Sequence, residues 1–246
     1  MKTSCWVEDL PWQEVERRLA HGALAILPVG AAAKEHGPHL PLATDAIQAR
    51  HFAAQLAQDF DTLVWPTVSY GYYPVFTEYP GSVSLKESTF AQQTDEIVTC
   101  LLASGAQRIG ILNTGISTIP ALETLVKKYG GGRVLLINCY SGPRLAKVEN
   151  EICRQTFGGH ADEMETSLML AIAPEQVDMS KAVSAVTRIE RGMFNRSDPQ
   201  GANYSPSGVN GDPTLASREK GEALLAALLE DLRELLGEFS DRTGTH

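Results

Sequence analysis

Positive charge, cysteine and long apolar runs are all scarce in this chain. Its 21 Lys and Arg stand against 30 Asp and Glu, a formal charge of −9. Binding to nucleic acid needs clustered Lys and Arg, so that class of partner is excluded. The four cysteines, Cys5, Cys100, Cys139 and Cys153, lie far apart with no CxxC pair, which fits a reducing cytoplasm. Cys100 and Cys139 sit in apolar runs and read as buried thiols. No stretch approaches the length of a membrane span, and the first ten residues lack an apolar signal core. The expectation is therefore a soluble, cytoplasmic protein with no membrane partner. P-loop, GxGxxG and G-x-S-x-G patterns are missing as well, which removes support for nucleotide binding and serine hydrolysis. What remains, at 246 residues, 43% hydrophobic and 21% charged, is the balance of a globular enzyme, read here as one domain over residues 1–246.

Strand-like and helix-like segments alternate, which predicts a parallel sheet covered by helices. Helices are expected over 8–21, 45–59, 89–104, 119–129, 163–173 and 220–239, and strands over 23–29, 62–68, 108–112 and 133–139. Thr44 or Asp45 reads as the N-cap of the second helix. The Gly/Ser/Asn/Pro-rich stretch 195–213 is long for a structureless loop and is a candidate functional loop or interface arm. The chain shows no internal repeat and no low-complexity linker.

Two clusters carry chemistry. The first follows the apolar run 23–29 and packs Glu35, His36, His39 and Asp45 into eleven residues. Ligands in α/β proteins bind at the carboxyl ends of strands, and imidazole with carboxylate suits zinc, manganese or ferrous iron. Glu35 and His36 are adjacent and serve one centre only if the backbone turns, which Gly37-Pro38 favours. The bland alternatives are a solvated loop, and Asp45 as a helix cap. The second cluster, Gly158-Gly-His160-Ala-Asp-Glu163-Met-Glu165, leads from two glycines into a helix. Asp162 and Glu165 have capping-box spacing, and acidic residues suit a first helical turn. Capping leaves His160 unexplained. His51 reads as structural or exposed, and Asn113–Thr118 as hydroxyls and N–H groups able to face an anion.

In order and spacing the clusters resemble the creatininase (creatinine amidohydrolase) family. Pro28-Val-Gly followed by Glu35-His-Gly-Pro-His-Leu-Pro-Leu-Ala-Thr-Asp45 is similar to its P-x-G-x-x-E-Q-H-G-P-H-L-P-L-x-T-D signature. His160-Ala-Asp-Glu-Met-Glu-Thr-Ser167 resembles H-A-G-E-x-E-T-S, and Tyr79-Pro-Gly-Ser-Val-Ser-Leu85 resembles F-P-G-T-x-S-L. Gly208-Val-Asn-Gly-Asp-Pro-Thr-Leu-Ala216 resembles G-x-x-G-D-P-x-x-A, so the likeness spans roughly residues 20–236. It implies a three-layer α/β/α sandwich with a mainly parallel sheet, often a homohexamer. One or two divalent ions (zinc, manganese or iron) would serve hydrolysis of a C–N bond in a cyclic amide, formamide or related small molecule. Such an ion lowers the pKa of bound water from ~16 towards ~7 and polarises a carbonyl; a histidine then protonates the leaving nitrogen.

The resemblance implies Glu35, His36, Asp45 and Glu165 as metal ligands, with Asp45 the candidate bridge between two ions. It places His160 as proton donor with Glu163 beside it, and His39, Tyr79 and Ser82 around the substrate. Two departures stand out. The family glutamate lies two residues before the histidine, where this chain has Lys34. Lys34 reads as solvated beside the mouth; a second reading turns its charge towards an anionic substrate. The family's N-G-H-G-G-N is here Asn113-Thr-Gly-Ile-Ser-Thr118, without a histidine, and Phe76 stands where many relatives carry one. A second ion would then be missing, weak, or held by His39 or Glu163, and creatinine itself is disfavoured as substrate. The alternative to an enzyme is a family-like subunit that has lost catalysis and binds a small molecule or serves structure.

Overall fold

The computed structural model describes residues 4–185, 188–189 and 192–241; the remainder of the expected 1–246 unit lies outside the described residues. In chain order the elements are α1 (Trp12–Ala20), β1 (Leu24–Val29), α2 (Thr44–Asp59), β2 (Thr62–Val64), α3 (Glu87–Ala103), β3 (Ile109–Asn113), α4 (Ile119–Tyr129), β4 (Val134–Asn138), α5 (Pro143–Ile152), α6 (Glu163–Ile172) and α7 (Arg218–Asp241). Among the described residues the strands form one parallel sheet in the order β2-β1-β3-β4. Helical crossovers between parallel neighbours place cover on both faces.

Side-chain alternation along the strands sorts the core into two layers. Ala25, Leu27 and Val29 of β1 join Ile109 and Ile111 of β3 under α1, α3 and α4, with Phe90, Val98 and Leu122 buried there. Leu24 and Ile26 of β1 join Leu112 and Ile137 on the opposite face, under α2, α5, α6 and α7, with Phe52, Leu56, Leu228 and Phe239. The result is a three-layer α/β/α sandwich with a parallel sheet.

Several boundaries differ from the sequence expectation. β2 ends at Val64, because Trp65-Pro66 removes a backbone donor; Val68 makes only an isolated bridge to Val29. α5 has no counterpart among the expected helices. Its first turn is capped from 86 residues away, where the Asp231 carboxylate accepts the Leu145 N–H at 2.9 Å. Cys139 is buried, but Cys100 is exposed, since it falls on the outer side of α3. No helix among the described residues is long and apolar enough to cross a membrane.

Candidate metal centre and cavity

β1 is followed by Gly30, where a side chain would meet the Asp45 carbonyl at 2.6 Å and the Thr114 hydroxyl at 2.8 Å. Only glycine lets the start of α2 and the loop after β3 close on the strand end. The chain then folds back on itself, with the Lys34 N–H donating to Leu42 O at 3.1 Å, and delivers residues 34–36 beside the first turn of α2. Neither Thr44 nor Asp45 caps that helix. The N-cap is Ala43, without a side-chain bond; the Thr44 hydroxyl donates to Pro41 O at 2.7 Å, and the Asp45 carboxylate is drawn into the cluster.

His36 is fully buried and donates from Nδ1 to the Lys34 carbonyl at 2.9 Å. A carbonyl only accepts, so the neutral ring presents a bare lone pair at Nε2. That nitrogen faces Asp45 Oδ1 at 3.1 Å and Glu165 Oε1 at 3.6 Å. His160 follows the same logic. Its Nε2–H donates to the Glu35 carbonyl at 2.9 Å and to Glu35 Oε2 at 3.1 Å, leaving Nδ1 open 3.9 Å from Glu165 Oε2. Ligand atoms of His36, His160 and Glu165 all lie within 4.8 Å of one another. Atoms bound at ~2.1 Å to a tetrahedral ion stand about 3.4 Å apart, close to the 3.6 Å between His36 Nε2 and Glu165 Oε1.

The titration behaviour follows from the same crowding. Burial and the Lys34 charge lower the His36 pKa, but Asp45 and Glu165 outweigh them and hold it above the usual imidazole value. Burial raises the Asp45 carboxyl; the Lys34 ammonium and His36 overcome this and keep it well below the ordinary carboxylate range. Glu35 is likewise held low against its burial, by His160 and the Gly37 N–H.

Lys34 is not solvated. Its side chain is 8% exposed, and Nζ lies 2.7 Å from Asp45 Oδ2, itself on a side chain only 1% exposed. The geometry is that of an ion pair rather than a directed hydrogen bond. Phe76 and Tyr73 flank the ammonium, with ring centroids 5.1 and 5.8 Å away.

The second cluster is positioned by the α6 N-terminus. Asp162 caps it by accepting the Glu165 N–H at 2.9 Å, while Glu165 Oε2 accepts the Ala161 N–H at 2.7 Å. One Glu165 oxygen thus anchors the turn and the other faces His36. Glu163 is not brought to the cluster. Its carboxylate accepts the Arg154 and Gln155 N–H groups at 2.7 Å each and pairs with Lys220. His39 is absent from it too, meeting the Thr166 hydroxyl at 2.8 Å. Burial drops the His39 pKa to about 4. Tyr79 donates to Ser205 O at 2.5 Å, and the Ser82 hydroxyl accepts the Glu35 N–H at 2.9 Å. These groups brace the loops around the site. Gly208, at φ +80°, lets the late loop pass over Glu35, whose carboxylate would collide with any side chain there.

A cavity of about 490 Å³ opens at the carboxyl ends of β1, β3 and β4, with Lys34, Asp45, His160 and Glu165 at its polar end. Phe76 packs 4.3 Å from the His160 ring, and Phe194 meets His160 edge-on at 5.8 Å; Tyr73, Ile116 and Ile189 extend that apolar wall. The loop after β3 spends its polar groups internally. Asn113 Oδ1 accepts from Gly115 N–H and the Thr118 hydroxyl, and the Thr114 hydroxyl lies against Val29 O and Asp45 O. The Thr114 and Thr118 hydroxyls are therefore not offered to an anion.

A parallel α/β/α sheet with a histidine–carboxylate cluster at its strand ends defines the class: an α/β protein with a candidate metal centre. The chain belongs to the creatininase family, whose model, described as creatinine amidohydrolase, matches residues 8–236. It is 27% identical to the creatinine amidohydrolase of Pseudomonas putida over 259 residues, 97% of this chain and 98% of that protein. It is 25% identical to 3-dehydro-scyllo-inosose hydrolase of Thermotoga maritima, over 98% and 85% of the two chains. A mycofactocin precursor peptide peptidase from Mycolicibacterium smegmatis is 28% identical, over 90% and 87%. In fold, a crystal structure of creatinine amidohydrolase superposes with TM-score 0.80 at 24% identity, covering 98% of this chain and 100% of the other. A manganese form of creatininase gives 0.78 at 24%, covering 97% and 100%. All three sequence relatives are hydrolases by name, and they act on different molecules.

Proposed function

We propose that this chain is a metal-dependent amidohydrolase that cleaves a C–N bond of a small cyclic amide, formamide or related molecule. The observation that carries the reading is the convergence of His36 Nε2 on the Asp45 and Glu165 carboxylates, at 3.1 and 3.6 Å, with His160 Nδ1 3.9 Å from Glu165. His36 Nε2, Glu165 and Asp45 Oδ1 would hold a divalent ion, and manganese, named for one creatininase structure, is a natural candidate beside zinc and iron. When bound, such an ion supplies Lewis acidity and an acidified water.

The chain's own residues supply the rest. His36 lies beneath the site, whereas His160 lines the cavity, so we assign His160 Nδ1 to proton transfer at the leaving nitrogen. Glu35 fixes its tautomer by accepting from Nε2 and stabilises the charged ring. Phe76 and Phe194 orient the imidazole and exclude water from one side. The aromatic wall suits a flat, weakly polar substrate body, with its carbonyl turned towards the polar end. Glu163, pinned by Lys220 and two backbone N–H groups, anchors the α6 entry rather than touching substrate.

The test is a panel of lactams, cyclic ureides and formamides followed by mass spectrometry. Protein stripped with chelator and then restored with zinc, manganese or ferrous iron is compared across the panel. The expected product is one water heavier, lost on stripping and regained on restoration. Activity that survives complete stripping contradicts the reading. Metal-loaded protein inert on the whole panel points instead to a binding subunit without catalysis.

A further inference from the structure

The two oxygens of Asp45 face different cations. Oδ1 faces His36 and the convergent ligand cluster, while Oδ2 faces Lys34 at 2.7 Å. We propose that the Lys34 ammonium occupies the cation place at Asp45 Oδ2, filling with the chain's own side chain a position that a second divalent ion would otherwise share. The inference deepens the one-ion reading above and rests on it.

Three observations support it. Charge is the first: Glu35, Asp45 and Glu165 carry three formal negative charges around the cluster and Lys34 one positive, which leaves −2. One divalent ion balances that sum; a second would overshoot by as much. Ligand supply is the second. The neighbouring loop 113–118 carries no histidine or carboxylate, and the oxygens of Asn113, Thr114 and Thr118 are already engaged with one another and with backbone groups. Neutral hydroxyls and amides are poor replacements for imidazole or carboxylate at zinc or manganese. Confinement is the third. The ammonium is packed against the Phe76 and Tyr73 rings at the buried end of the cavity, and a divalent ion beside it would meet strong repulsion at low effective dielectric.

Metal content measured by elemental mass spectrometry tests this, on full-length protein equilibrated with manganese alone or zinc alone. Wild type and Lys34→Arg, which keeps the charge, are expected to hold one equivalent. Lys34→Glu, which supplies a carboxylate in place of the ammonium, is expected to hold one equivalent more than wild type. Lys34→Glu also brings two buried carboxylates together, so its melting temperature is followed with and without added manganese. A larger metal-induced rise than in wild type is the expected second readout. Two equivalents in wild type, or a Lys34→Glu protein matching wild type in both content and melting shift, overturns the proposal. Wild type holding none bears on the enzymatic reading instead; the Lys34 assignment is judged by the difference between variant and parent.

Discussion

On one side of Asp45 the partner is tethered: Lys34 comes from the same loop, with its Nζ 2.7 Å from Oδ2. On the other side ligand atoms of His36, His160 and Glu165 converge within 4.8 Å of one another. A buried carboxylate needs compensation on both sides. The difference teaches how one acidic residue can be half structural and half receptive. The tethered ammonium stabilises the fold without any ion, while the open side stays available to a ligand that comes and goes. Lysine suits the tethered role because its compact ammonium concentrates charge at one point.

Removing the shared residue breaks the comparison most severely. Asp45→Ala strands the Lys34 ammonium in a buried site and deprives His36 of a partner, so we expect a loss of about 3–5 kcal/mol in urea unfolding together with loss of bound metal. Wild-type stability in that variant would mean that Lys34 escapes to water. Next in size, His160→Gln leaves both sides of Asp45 intact and should retain its metal while turnover falls roughly 10²- to 10⁴-fold. Metal lost in proportion to activity would make His160 a ligand instead. The smallest effect concerns the support behind the open side. His39 resists protonation until about pH 4, against an ordinary value of 6.5. The unfolded chain therefore binds the extra proton first, and stability falls as pH drops from 6.5 towards 4, by at most about 3.4 kcal/mol. His39→Gln should flatten that slope in denaturation curves; an unchanged slope would place the acid sensitivity elsewhere.

Much of the scaffold was legible because apolar periodicity is a local signal. β1, β3 and β4 fall within about a residue of expectation, and α4 coincides with it, since these segments are bounded by glycine, arginine and proline in the sequence. α5 was not legible: Pro143–Ile152 has few apolar positions, and its first turn is held by Asp231 on α7. At the site, residue types were readable and orientations were not. His36, Asp45, His160 and Glu165 do converge, yet Asp45 as a cap and Lys34 as a solvated charge both assumed the local chain acted alone. The fold-back of residues 34–42 changes that, by burying Lys34 against the start of α2. Glu163, His39, Tyr79 and Ser82 sit in the motifs that signal the site, but their polar atoms are spent bracing it. Motif membership marks proximity; only three-dimensional pairing assigns the task.

The most direct measurement is anomalous diffraction from crystals of the protein grown with zinc or manganese. The account predicts a single peak about 2.1 Å from His36 Nε2, on the Oδ1 side of Asp45, with the Lys34 ammonium still against Oδ2. Two peaks flanking Asp45, with Lys34 displaced into the cavity, would contradict it.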